Sequence, residues 1–152
     1  MYSGITNIRR LRPKEVNLKT VNDINRLLKM QHSKAKRLDE EGLAAFLKKS
    51  KVVVVWNDNA RIIGMGILVE VDAASHKYAI IHHLAVLNSS DRLTLGKGIV
   101  DLLIEGVVVE FFVANVWQED RDAINFLTTV GFRLKPKLRY RLSGTLVPPA
   151  KS

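Results

Sequence analysis

Cysteine is absent from the 152 residues. That excludes a disulfide framework, a thiol nucleophile and a cysteine-ligated zinc site. It suits a reducing compartment. Long apolar runs are absent too, and none approaches the ~20 residues of a membrane span. The opening, MYSGITNIRR, has no apolar core of the kind a secretory signal needs. A cytoplasmic protein with no membrane role and no metal site is therefore expected. Internal repeats are missing as well. What remains is 47% hydrophobic and 26% charged, which is wrong for disorder and ordinary for a globular chain. The length fits one domain with a real core.

Acidic residues are scarce at both ends. Residues 1–38 carry ten basic side chains and two acidic ones, residues 39–132 eight and thirteen, and residues 133–152 six and none. The net charge of +9 is thus concentrated at the termini around an acidic centre. Such an excess attracts nucleic acid, an anionic surface or an anionic ligand. No nucleic-acid recognition motif accompanies it, so a basic nucleic-acid-binding module ranks as a secondary reading.

The periodicity predicts a strand over 5–12, ended by Pro13. Thr20 and Asp23 resemble a capping box, and Val21, Ile24, Leu27 and Leu28 share a helical face that reaches about Gln31. Asp39, Glu40 and Glu41 suit the start of a second helix, and Lys48 and Lys49 its end. KVVVVW (51–56) and RIIGMGILVEV (61–71) read as a hairpin about Asn57-Asp58-Asn59. Gly64 and Gly66 mark a bulge or a close backbone approach. YAIIHHLAVL (78–87) is a further strand. Leu95-Gly96-Lys97-Gly98 then opens a helix whose face is Ile99, Leu102, Leu103 and Val107. A strand at 108–116, a helix at 120–130 closed by Gly131, and a strand at 132–142 complete the order. Residues 143–152 read as a tail after one domain, 1–142. The pattern is α+β with a mixed sheet.

Glycines between a strand and a helix let the backbone approach a phosphate, which the helix N–H groups and dipole then hold. Gly96-Lys97-Gly98 alone is weak evidence, and it is neither a Walker A loop nor a dinucleotide fingerprint. Its context says more. HLAVLNSSDRLTLGKGIVDLLIE (83–105) resembles the acetyl-CoA loop of the GNAT superfamily of acyl-CoA N-acyltransferases. DRDAINFLTTVGFRL (120–134) resembles that family's second motif, a helix ending in Gly-Phe, and RYRL (139–142) is similar to its closing strand. The chain departs from the pattern at four places. Leu95 stands where Arg or Gln is usual, Val100 where Gly or Ala is usual, and Leu127 where a Tyr often protonates the leaving thiolate. The loop from Val86 to Gly96 is also longer than typical.

The resemblance implies a mostly antiparallel mixed sheet, with helices on both faces, splayed at the acyl-CoA site. It implies acetyl-CoA as co-substrate and transfer of an acetyl group to a primary amine of a small molecule or protein, by a monomer or homodimer. Backbone groups of Leu84, Ala85 and Val86 would pair with pantetheine. Loop N–H groups of Leu95, Gly96, Lys97, Gly98, Ile99 and Val100 would take the pyrophosphate. Arg92 would supply the displaced guanidinium, and Asn125 or Asn115 would bond pantetheine or the acetyl carbonyl. Transfer needs a neutral amine and hence a base. His82 is the leading candidate, because strand alternation gives it the face of Leu84 and Val86 and sends His83 to the opposite one. The replaced motif residues leave a second reading, an acyl-CoA-binding protein of this fold without catalysis. Arg133, Lys135, Lys137, Arg139 and Arg141 alternate along the last strand, as a solvated face or as a surface that steers an anionic partner.

Overall fold

In the computed structural model, the residues described are 5–31, 36–73, 75–87, 89, 91–117, 121–129, 131–135 and 143–147. The elements are β1 (Ile5–Arg10), a short 3-10 turn (Pro13–Glu15), α1 (Leu18–Gln31), α2 (Glu40–Lys49), β2 (Lys51–Asn57), β3 (Ile62–Asp72), β4 (Lys77–Val86), α3 (Arg92–Ile104), β5 (Phe111–Trp117), α4 (Arg121–Thr129), β6 (Arg133–Lys135) and β7 (Ser143–Val147). The chain divides into two compact units: Met1–Ile67 with His83–Glu105, and Leu68–His82 with Gly106–Ser152.

The first unit holds α1, α2, α3, β1, β2, the opening half of β3 and the end of β4, hydrogen-bonded in the order β1-β2-β3-β4. Val52 to Val55 are buried, so β2 is covered on both faces and reads as a continuous apolar run rather than an alternation. Gly64 and Gly66 lie under α3. A β-carbon at Gly66 would come within 2.9 Å of Ile99 and Leu103, so the helix can seat closely only where β3 lacks side chains. Lys51 Nζ donates to the carbonyls of Leu102 (3.2 Å) and Glu105 (2.8 Å), placing a cation on the negative end of α3.

Asn17 caps α1. Its side chain accepts from Thr20 N–H (2.9 Å) and its carbonyl from Val21 N–H (3.0 Å). The cap expected at Thr20 is therefore three residues too late. Asp23 is not its partner but a buried carboxylate, 6% exposed, that accepts from Ile62 N–H at 3.3 Å. Asp39 caps α2 as expected, accepting from Gly42 N–H at 2.6 Å.

The second unit runs β3-β4-β5-β7-β6. β4 and β5 are parallel, and β7 pairs antiparallel with both β5 and β6. Residues 143–147, expected as tail, are thus a strand inserted between β5 and β6. Thr145 in this strand pairs with both Asn115 and Lys135. The apolar Leu146 and Val147 support the extended form. The expected strand over 132–142 is described only at Arg133–Lys135; Lys137, Arg139 and Arg141 lie outside the described residues. Gly131, at φ +112°, closes α4. Its N–H bonds Thr128 C=O (3.1 Å) while Phe132 N–H bonds Leu127 C=O (2.9 Å), a Schellman pair.

Arg9 grips Glu15 through both guanidinium nitrogens, one bond being 2.7 Å, and its charge also lies 4.3 Å from the Trp56 ring centroid. The Arg9 hydrogen bonds, helped by Arg12 N–H at 2.8 Å, hold the Glu15 carboxyl at about 2, well below the usual carboxylate range. A lowered folded-state value means that this ion pair stabilises the fold above about pH 4.5. The contribution fades as pH falls toward 2. Glu15→Gln should cost about 1 kcal/mol at pH 7, progressively less below about pH 4.5, and nothing well below pH 2. Urea midpoints of both proteins across that range check it, and parallel curves would refute it.

Candidate active site

The β4–β5 ladder begins at Tyr78–Phe111 and ends at Ile81–Ala114, although β4 continues to Val86 and β5 to Trp117. The strand carrying His82, His83, Leu84, Ala85 and Val86 therefore runs on after its parallel pairing stops. The change coincides with His83, whose φ of +56° is left-handed. A non-glycine residue held there costs of order 1 kcal/mol and bends a strand. The His83 ring meets Phe46 of α2 edge-on at 5.6 Å. Burial pushes its imidazole below the ordinary value, so it is neutral at pH 7. The Leu84 side chain instead turns toward α3 and reaches over Gly66. Regular alternation does not run through a left-handed residue, so the expectation that His82 shares a face with Leu84 and Val86 loses its basis in counting. His82 itself is half-buried. Ala85 and Val86 are buried, and Leu87 N–H closes the strand on Ile63 C=O at 2.8 Å.

The glycine stretch differs most from expectation. α3 starts at Arg92, and its first regular bond runs from Leu95 N–H to Asp91 C=O at 2.9 Å. Gly96, Lys97, Gly98, Ile99 and Val100 sit inside the helix, where each N–H is used by the carbonyl four residues back. They do not form the open phosphate cradle that the resemblance implied. The extra residues after Val86 have become additional helix. Leu93 and Thr94 are the N–H groups ahead of the regular bonds, with half-buried Arg92 beside them at the helix start. Leu95, Gly96, Ile99 and Val100 face the core, while Lys97 is exposed and pairs with Asp101 at 3.1 Å.

Within the second unit, Leu127 is fully buried, which suits an apolar residue at the position where the resembled motif has a tyrosine. Asn125 is exposed on α4, and its carbonyl accepts from the Thr129 hydroxyl at 2.8 Å. Asn115 stands opposite Thr145 in the β5–β7 ladder. Among the described residues, no cluster of three or more His, Asp or Glu is placed to hold a metal. Nor is any described helix long and apolar enough to cross a membrane. Two further features escaped the sequence reading. The left-handed turn at His83 has no composition signal, since histidine is merely tolerated there. The burial of Asp23 was hidden by its plausible role in a cap.

No curated protein sequence matches the chain. Solved structures match it closely in shape at low identity. Naa20 of Chaetomium thermophilum, in complex with a bisubstrate analogue, superposes with a TM-score of 0.74 at 14% identity, over 95% of this chain and 87% of that one. A GNAT-family acetyltransferase from Staphylococcus aureus Mu50 gives 0.72 at 17%, over 93% and 97%. The NatC complex bound to Gag peptide and CoA gives 0.70 at 16%, over 95% and 98%. At such identities the likeness carries the fold: mixed α+β with a mostly antiparallel sheet. The sequence carries more, because the family model described as Acetyltransferase (GNAT) family matches residues 20–132, from α1 through the glycine stretch of α3 to the Gly-Phe that closes α4. The chain belongs to the GNAT family of acetyltransferases.

Proposed function

We propose that this protein transfers an acetyl group from acetyl-CoA to a primary amine. The family supports acyl transfer from acyl-CoA to an acceptor. The observation that carries the finer reading is the end of β4. Its ladder to β5 stops at Ile81 while the strand continues through Leu84, Ala85 and Val86. Backbone groups left without a parallel partner suit pantetheine, which pairs as an added strand would. The start of α3 suits the pyrophosphate through Leu93 and Thr94 N–H, the helix dipole and the Arg92 guanidinium. In the reaction the amine nitrogen attacks the thioester carbonyl, the C–S bond breaks and CoA leaves as thiolate. His82 takes the proton the nitrogen must lose.

Thiolate is a good leaving group, so water can reprotonate it where Leu127 offers no hydroxyl. The buried Leu127 also favours a second reading, binding of acyl-CoA without efficient transfer. A thermal-shift series with acetyl-CoA tests the part common to both. Saturation at a hundred times Kd adds about 2.7 kcal/mol, a rise of roughly 5–10 °C for a chain of this size. No shift at millimolar acetyl-CoA would overturn both readings.

A further inference from the structure

Outside the acyl-transfer residues, the first unit has a cleft of about 730 Å³ between α1 and the β2–β3 turn. Its walls are Leu18, Lys19, Asn22, Asp23 and Arg26 on the helix, and Asn57, Asn59 and Arg61 on the turn. None of these belongs to the β4 end or to α3. Among the described lining residues three cations face one carboxylate, a surplus of two positive charges. Asp58, in the same turn, is not among the lining residues.

The carboxylate is already committed. Asp23 is buried, accepts Ile62 N–H, and meets Lys19 at 3.4 Å and Arg26 at 3.6 Å. It anchors the turn to α1 and orients two cations at the rim. Lys19 is further tied to Ala60 C=O at 2.8 Å. Among the described residues Arg26 has no partner but Asp23, and the Arg61 guanidinium has none. Both are exposed. Asn57 Oδ1 accepts from the N–H groups of Asn59 and Arg61, each at 3.0 Å, so the turn bearing Arg61 is fixed in shape.

We propose that this cleft binds a small, polar, polyanionic molecule carrying a phosphate or several carboxylates, held between Arg26 and Arg61. The volume lies in the range of small-molecule sites and far exceeds one phosphate ion. The amides of Asn22 and Asn59 line it, which suits hydroxyl and carbonyl groups. Among the described residues no aromatic ring lines it and Leu18 is the one apolar wall, so they offer a nucleobase no stacking surface. The ligand class is therefore a phosphorylated polyol or a polycarboxylate. The anion is either the far end of the acceptor amine or a separate ligand.

The test titrates glycerol 3-phosphate and citrate into nitrogen-15-labelled protein at low salt. At least one probe should move the amide resonances of Asn22, Asn59 and Arg61 together along one isotherm. Arg61→Gln and Arg26→Gln should each weaken that binding roughly tenfold, as loss of a charge-assisted bond does. Lys49→Gln, at the exposed end of α2, should leave it unchanged. Shifts confined to other regions, no shifts with either probe, or equal affinity in Arg61→Gln and the parent protein would overturn the proposal. This arm needs no enzymatic activity, so it stands or falls apart from acetyl transfer. Kinetics separate the sources. An acceptor-borne anion makes Arg61→Gln raise KM for anionic amines only. A separate ligand makes glycerol 3-phosphate alter KM for a neutral amine, an effect that Arg61→Gln removes.

Discussion

Replacing His82 with alanine is expected to lower kcat for amine acetylation by roughly 10²–10⁴-fold, the usual cost of losing a general base. Acetyl-CoA affinity should barely change, because the proposed binding groups are backbone groups of β4 and of the start of α3, not the His82 ring. The internal control is His83→Ala. The His83 ring packs on Phe46 and its backbone is left-handed. Its loss should therefore act on stability, by about 1–2 kcal/mol, through the lost ring contact and the strain of alanine at positive φ. Stopped-flow or steady-state kinetics beside urea denaturation separate the two effects. Equal, small kinetic losses in both variants would show that neither imidazole is the base, and that the amine gives its proton to water.

Leu95→Arg should have the largest effect on stability. The motif that this stretch resembles has Arg or Gln at this position, so the change looks like a repair. The structure predicts the opposite. Leu95 is 1% exposed on the core face of α3, in the same row as Ile99 and Leu103. A guanidinium there would be drawn out of water into the apolar row of Ile99 and Leu103, and burying a charge in such surroundings costs several kcal/mol. Against a total stability of roughly 5–15 kcal/mol, this is enough to unfold much of the protein at 37 °C. Circular dichroism melts check it. A variant melting within a few degrees of the parent would mean that α3 does not start where described and that Leu95 lies on an open loop.

This helix start is also where the sequence was least legible. Gly96 and Gly98 are poor helix formers, each costing about 1 kcal/mol against alanine, so local propensity argued for a loop. Tertiary packing overrides it. Gly66 on β3 makes room for Ile99 and Leu103, and Gly98 lies against Ile8 of β1, where a β-carbon would come within 3.2 Å. Backbone freedom was the wrong reason for those glycines, and close packing is the better one. Elsewhere the pattern was strong enough to read. The β-branched run of β2, the acidic start and basic end of α2 and the left-handed Gly131 all stand where the periodicity put them. β7 was missed because five residues rich in Ser, Gly and Thr look like a tail until β5 and β6 offer it partners on both edges. His82 and His83 were found as a pair by residue type alone. Strand alternation had already set them apart, but the packing of the His83 ring on Phe46, 37 residues earlier in the chain, had no local signal.

The central claim is acetyl transfer to an amine, and release of free CoA thiol measures it most directly. Purified protein is mixed with acetyl-CoA and a panel of primary amines, neutral and anionic, and thiol is followed by colour formation. The account predicts release that depends on both the protein and the amine, saturates with acetyl-CoA and is lost in His82→Ala. Thiol release no faster than without protein, with every amine, while acetyl-CoA still raises the melting temperature, would contradict it and leave a GNAT-fold protein that binds acyl-CoA without transferring the acyl group.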